Sequence, residues 1–211
     1  MEFKTAFYAI REHLRTSGDH FARIASGAAF EQWLNPEIVA CLSASSSLGA
    51  GESVEGESLK RDIVVRVGGE VTHVVQVKLL YQWKDTKLLR EKLEPLLYQI
   101  SEPRRADEAM GVRRHGLLVG IWFDNPVSRS PVIEPERSSF HRYSSLVRRK
   151  FPPAAFTTQH GYTFERVFKS PRRLRERGVE GTSWQVQVGM LAVTLKRTAA
   201  DPLPPVRRQG R

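Results

Sequence analysis

The sequence predicts a mixed α/β fold, a β-sheet covered by helices. Three observations predict it. Leu59 to Val67 and Val71 to Leu80 are rich in β-branched residues and flank Gly68-Gly69, so they form a hairpin. A stretch with leucines at helical spacing follows, and a second apolar run, Gly116 to Phe123, comes after that. Helix, hairpin, helix and strand in this order make a mixed sheet with helical cover.

Phe3, Ala6, Phe7, Ile10 and Leu14 repeat at helical spacing, which predicts a first helix ended by Ser17-Gly18. Asp19 is placed to cap a second helical stretch through Phe21, Ile24, Ala28 and Trp33, and Pro36 starts a further turn through Ile38, Val39 and Leu42. Residues 43–58 are rich in Ser, Gly and Glu and are expected to form a loop. Beyond the hairpin, Thr86 can cap a helix with Leu88, Leu89, Leu93, Leu96, Leu97 and Ile100 on one face, which Pro95 should kink or split. Asp124-Asn125-Pro126 stops the strand Gly116 to Phe123. Signals then weaken. A helix is expected over 138–150 with Phe140, Tyr143, Val147 and Phe151 on one face, and Ser170-Pro171 with Gly178 frames a short arginine-rich helix. The final strand spans about 183–195, alternating Trp184, Val186 and Val188 before Gly189 interrupts the pattern, and the proline- and arginine-rich tail from Thr198 is expected to be disordered.

Composition limits the function classes. The 211 residues carry 33 Lys and Arg against 23 Asp and Glu, for a net charge of +10. With 40% apolar residues the chain can bury a core. No apolar run reaches the roughly 18 residues of a membrane span, and Glu2 and Lys4 are unlike a secretory leader, so a cytoplasmic location without membrane contact is expected. Cys41 is the single cysteine, which excludes an internal disulfide and a multi-thiolate zinc site, and the six histidines show no metal-ligand spacing. Residues 1–101 hold 12 basic and 13 acidic side chains, while residues 102–211 hold 21 and 10. The whole excess lies in the second half. It is mostly arginine, whose planar fork suits phosphate, so a polyanion is the first partner to consider.

The hairpin brings a possible chemical site together. Gln76 and Lys78, two residues apart on a strand, point to one face. Asp62 joins them only in one register. A two-residue loop at Gly68-Gly69 pairs Val67 with Glu70 and sets Asp62 opposite Val75, on the wrong face. A three-residue loop, Gly68 to Glu70, pairs Val67 with Val71 and sets Asp62 opposite Gln76. Glu31 lies in the helical region before the hairpin, with Glu37 an equally placed alternative across Pro36.

Glu31, Asp62 and the strand Val75-Gln76-Val77-Lys78, followed by a helix and the strand Leu117 to Phe123, resemble the PD-(D/E)xK nuclease superfamily, in particular its Mrr-like members with Q-x-K in the last motif. The resemblance covers residues 19–123 and is one of order and spacing. It departs from the family pattern in three ways: Arg61 stands where Pro usually precedes the aspartate, Gln76 replaces a carboxylate, and the following helix lacks a Q-x-x-x-Y box. The resemblance implies a restriction-endonuclease-like mixed sheet flanked by helices, with a basic C-terminal extension. It implies a nuclease-like core over 1–123, a part over 124–197 completing the same domain, and a basic tail over 198–211.

The implied activity is Mg²⁺-dependent hydrolysis of DNA, by an endonuclease in defence against foreign DNA or in repair. Mn²⁺ would substitute for Mg²⁺. Asp62, Glu31, Gln76 and the Val77 carbonyl are the implied metal ligands, as Mg²⁺ takes oxygen donors, and Lys78 would stabilise charge on the scissile phosphate. Arg148, Arg149, Arg172 and Arg173 are expected phosphate contacts, with Lys87 and Arg90 as alternatives on the helix after the motif. Two other functions stay open: a catalytically inactive relative binding nucleic acid or a protein partner, and an RNA-binding protein whose hairpin is structural. A homodimer and membership of a larger defence complex also stay open.

Overall fold

A computed structural model describes residues 2–17, 30–45, 48–57, 61–81, 86–101, 111–124, 145, 147–158, 164–169, 174–175 and 183–196. Its helices are α1 (Phe3–Thr16), α2 (Phe30–Ala44) and α3 (Thr86–Ser101). Its strands are β1 (Glu52–Gly56), β2 (Ile63–Val67), β3 (Glu70–Tyr81), β4 (Arg113–Asp124), β5 (Phe156–Thr158), β6 (Glu165–Lys169), β7 (Leu174–Arg175) and β8 (Ser183–Leu195). The fold is mixed α/β. The sheet runs β1-β2-β3-β4-β8-β5, with β6 and β7 also on β8. All pairings are antiparallel except β3 with β4, which are parallel and joined through α3.

Strand alternation sorts the core into two layers. Ile63, Val75, Val77, Leu79, Leu117, Val119 and Ile121 point to the face covered by α1 and α2, where they meet Phe7, Ile10, Leu34, Ile38 and Leu42. Leu80, Leu118, Leu191 and Val193 point to the other face, under Leu93, Leu96 and Ile100 of α3 and under Val147, Phe151 and Phe156. β8 pairs with β4 from His115 to Asp124, so residues on both sides of position 124 share one sheet.

α1 buries Phe3, Ala6, Phe7, Ile10 and Leu14, the five residues whose spacing predicts it. The expected loop over 43–58 is corrected: α2 extends to Ala44, and Glu52–Gly56 pairs with β2 along the outer side of the sheet. Charged and small residues are what a strand at a sheet edge carries, which hides it from apolar patterning. Pro36 is inside α2 and starts no new turn. Its ring removes one helical hydrogen bond, a cost of about 3 kcal/mol, but Leu34, Ile38 and Leu42 are each at most 1% exposed, and burial of each is worth about 1.5–3 kcal/mol. Pro95 likewise does not split α3, which is continuous over Thr86–Ser101. Of the helix expected at 138–150, residues 145 and 147–150 are described and helical. The expected arginine-rich helix is corrected at Leu174–Arg175, which pairs with Trp184 and Ser183 as β7. The strand expected over 183–195 is β8, in which Gly189 pairs with Gly120. The stretch Asp19 to Ala28 and the tail from Thr198 lie outside the described residues.

Candidate functional site

The hairpin register decides which side chains meet. The turn is the two-residue form: Val67 pairs with Glu70, and Gly68 and Gly69 have φ of 57° and 90°, values that glycine adopts without strain. The three-residue loop is thus corrected. Yet Arg66 pairs with Val71 while Val65 pairs with His73, so Thr72 is an extra residue in β3, a β-bulge. The Thr72 hydroxyl donates to the Val65 carbonyl at 3.2 Å, which fastens the bulge to β2. From there Val64 pairs with Val74 and Ile63 with Val75. One step further, the same register sets Asp62 opposite Gln76. The bulge restores the facing that the short turn alone would reverse.

Asp62 follows this register into a definite contact. Its Oδ2 accepts the Val77 backbone N–H at 2.6 Å, so the carboxylate sits against the strand between Gln76 and Lys78. β2 has ended there, and the carboxylate occupies the place of a ladder carbonyl. On an extended strand the N–H and C=O of one residue point to the same side, so the Val77 carbonyl faces the same gap. Asp62 and Lys78 are half-buried. Gln76 is 2% exposed, and among the described residues its Nε2 has no hydrogen-bond partner.

Helix α3 positions this corner. Arg61, next to Asp62 and 1% exposed, donates from Nη1 to the Gln99 carbonyl in the last turn of α3. Arg114 Nη1 donates to the Ser101 carbonyl at 3.2 Å. The final carbonyls of a helix lack intrahelical donors, and cationic side chains are favoured there by the helix dipole. Arg61 therefore fixes the chain one residue before Asp62. Beside Gln76 in the parallel ladder lies Gly116. A Cβ there would stand 2.5 Å from Ile100 Cδ1 and 2.9 Å from Val193 Cγ2, so glycine lets α3 lie close over Gln76.

The other expected site residues divide. Residue 31 is in the first turn of α2, and its side chain lies outside the described residues. α2 covers the face opposite Gln76 and Lys78, since Leu34, Ile38 and Leu42 pack with Ile63, Val75 and Val77. Glu37, the alternative acid, is bonded to His13 Nε2 at 2.6 Å. Burial and the nearby Glu37 raise the Cys41 thiol above its ordinary pKa, which does not suit a nucleophile. Arg148 and Arg149 are exposed, between the buried Val147 and Phe151. They flank the α3 side of the sheet, the side of Gln76, and Lys150 ties this turn to α3 by an ion pair with Glu94. Arg172, Arg173 and the side chains of Lys87 and Arg90 lie outside the described residues.

The donor set bears on a magnesium ion as follows. Among the described residues no three His, Cys, Asp or Glu side chains cluster as a metal site. One carboxylate, Asp62, is present, and one of its oxygens is engaged by Val77. Mg²⁺ is commonly held by only one or two carboxylates, with water and substrate phosphate completing its shell. Asp62 and the Val77 carbonyl meet that minimum.

Residue pattern alone does not reveal a second buried cluster on the opposite face. His73 Nδ1 and His115 Nε2 are 3.1 Å apart, and His115 Nδ1 is 2.9 Å from Thr194 Oγ1. Phe3 of α1 stacks on His115 with ring centroids 3.7 Å apart. His73 is 5% exposed and His115 2%. Burial, together with nearby positive charge including Arg113, lowers the pKa of His73 to about 4. Burial and His73 push His115 well below its ordinary range. Alternation predicts that His73 faces away from Gln76, and it does; it is a core histidine.

No family model, curated protein or solved structure matches the chain. No helix among the described residues is long and apolar enough to cross a membrane.

Proposed function

We propose that the chain is a Mg²⁺-dependent deoxyribonuclease of PD-(D/E)xK type with a restriction-endonuclease-like fold, acting on DNA in defence or repair. The observation that carries this reading is the Asp62 carboxylate bonded to the Val77 N–H, in a register that puts Asp62 across from Gln76 and on the face of Lys78. A parallel β3–β4 pair joined through α3 agrees with the order of elements in that superfamily.

Asp62 and the Val77 carbonyl would hold the ion. When bound, the ion polarises the scissile phosphate and makes a water molecule more acidic. Lys78, half-buried beside Leu118 of β4, holds its ammonium near the phosphate, where it offsets the charge that develops on the non-bridging oxygens. The Val77 N–H fixes one Asp62 oxygen and leaves the other for the ion. Arg148 and Arg149 meet the flanking backbone.

The test is incubation with supercoiled DNA, linear DNA and RNA in Mg²⁺, Mn²⁺ or EDTA, alongside Asp62→Ala and Lys78→Ala. Metal-dependent DNA cleavage lost in both variants is the expected result. Binding without cleavage under every metal condition would sink it. A second reading, an inactive relative that binds nucleic acid or a protein, is favoured by the same Asp62–Val77 bond, because a carboxylate closing a ladder is a sufficient structural role. Cleavage of RNA alone would redirect the substrate class.

A further inference from the structure

Tyr98 is 38% exposed, and among the described side chains it is the one aromatic ring left open to solvent. It makes no hydrogen bond or ring contact with any described residue. On α3 it stands one turn after Glu94, with Cβ atoms roughly 5–6 Å apart. Glu94 pairs with Lys150, and Leu97, on the same flank, packs against the layer that holds Val147 and Phe151. The flank of α3 that carries Tyr98 therefore adjoins the helical turn of Arg148 and Arg149, both exposed. Lys196, exposed at the end of β8, donates from Nζ to the Pro153 carbonyl just past that turn. Lys150 offsets the charge of Glu94, so the patch presents an unstacked ring beside the cations Arg148, Arg149 and Lys196.

That combination fits a nucleic acid with unpaired bases. Cations hold the backbone of any nucleic acid. A ring, however, stacks only on a base whose face is free, and within a duplex the neighbouring bases cover both faces. A protein partner would also bury a tyrosine and arginines, but the positive charge of the patch favours a polyanion. The ring is also tied to the candidate site. Gln99 follows Tyr98, and its carbonyl holds Arg61, the neighbour of Asp62. A strand stacked on Tyr98 is thus placed against the same turn of α3 that anchors the Asp62 corner. Resting on the nuclease reading, we propose that Tyr98 stacks on an unpaired base while Arg149, with Arg148 and Lys196, holds the adjoining phosphates. The preferred substrate is then DNA with a single-stranded stretch. Duplex DNA keeps the phosphate contacts and loses the stacking, so it binds more weakly at equal salt.

Anisotropy of fluorescein-labelled DNA tests this on the full chain, with Ca²⁺ in place of Mg²⁺ so that the DNA stays intact. One oligonucleotide is offered single-stranded and as a duplex with its complement. The single strand should bind more tightly. Tyr98→Ala should lower the ratio of single-strand to duplex affinity about tenfold, which lies within the worth of one stacked base, and Tyr98→Phe, which keeps the ring, should hold it within about twofold. An unchanged ratio in Tyr98→Ala overturns the inference and leaves a protein as the partner of this face. An equal loss in Tyr98→Phe also overturns it, since the contact would then be a hydrogen bond from the hydroxyl. In both cases Mg²⁺-dependent cleavage that is lost in Asp62→Ala leaves the nuclease reading standing. Binding of either form with cleavage of neither in Mg²⁺ or Mn²⁺ overturns the nuclease reading instead.

Discussion

Acid should weaken this fold through His73. The side chain is buried against His115, and its folded-state pKa is about 4 against 6.5 when unfolded. Between those values the unfolded chain binds a proton that the folded chain refuses, so stability is complete above pH 6.5 and is lost as pH falls toward 4. Full loss would be about 3 kcal/mol, at 1.36 kcal/mol for each pKa unit; at pH 4.5 about 2.5 kcal/mol is expected. His115, shifted in the same direction, adds to it. Carboxylates also titrate in this range, so the comparison must be with a variant that keeps the shape and polarity but not the proton. His73→Gln serves. Urea unfolding at pH 7 and pH 4.5 gives a stability difference for each protein, and wild type should lose about 2.5 kcal/mol more than the variant. Equal losses would refute the assignment and mean that the pair already exchanges protons in the folded state.

Three further outcomes follow from named contacts. Arg148→Ala and Arg149→Ala should each weaken DNA binding on all sequences alike and lower the slope of log affinity against log salt by about 1, read from anisotropy titrations at several salt concentrations. Gly116→Ala places a methyl group within 2.9 Å of Val193 and closer still to Ile100; a loss of about 1–3 kcal/mol in urea unfolding is expected, and an unchanged midpoint would mean α3 can lift freely. Arg61→Met removes the donor to the Gln99 carbonyl and should cost about 1–3 kcal/mol, with faster amide exchange in the last turn of α3.

The parts of the fold that were legible in the sequence are those where burial sets the period. α1 shows its five core residues directly, and β8 is bounded at 183 and 195 as expected, because each packs a continuous apolar face. The parts that were not legible depend on partners distant in the chain. β1 is a strand because β2 offers it a ladder, and Leu174–Arg175 is a strand because β8 does; neither has apolar alternation of its own. Pro36 and Pro95 break helices in isolation but not helices held down by Ile38 and Leu42, or by Leu93 and Ile100. At the candidate site, the shared face of Gln76 and Lys78 was legible from alternation. The anchoring of Arg61 on α3 was not, since nothing near it in the chain indicates Gln99. Nor was the bulge, as threonine at position 72 is an ordinary strand residue.

The Thr72 bulge also makes this hairpin unusually sensitive to whether insertions and deletions are odd or even in number. The tip at Gly68-Gly69 is exposed, a place where extra residues are commonly tolerated. Here one residue added or removed between Val67 and His73 would turn Asp62 toward the α2 face unless the bulge were lost or gained to compensate, while a change of two would not. Homologues with altered hairpin lengths should therefore differ by even numbers, or carry an odd change paired with a missing bulge. Deleting Thr72 removes the extra residue and the bulge together, so Ile63 would still pair with Val75 and Asp62 would still face Gln76; one residue inserted at the tip with the bulge kept would turn Asp62 away from Gln76 and Lys78.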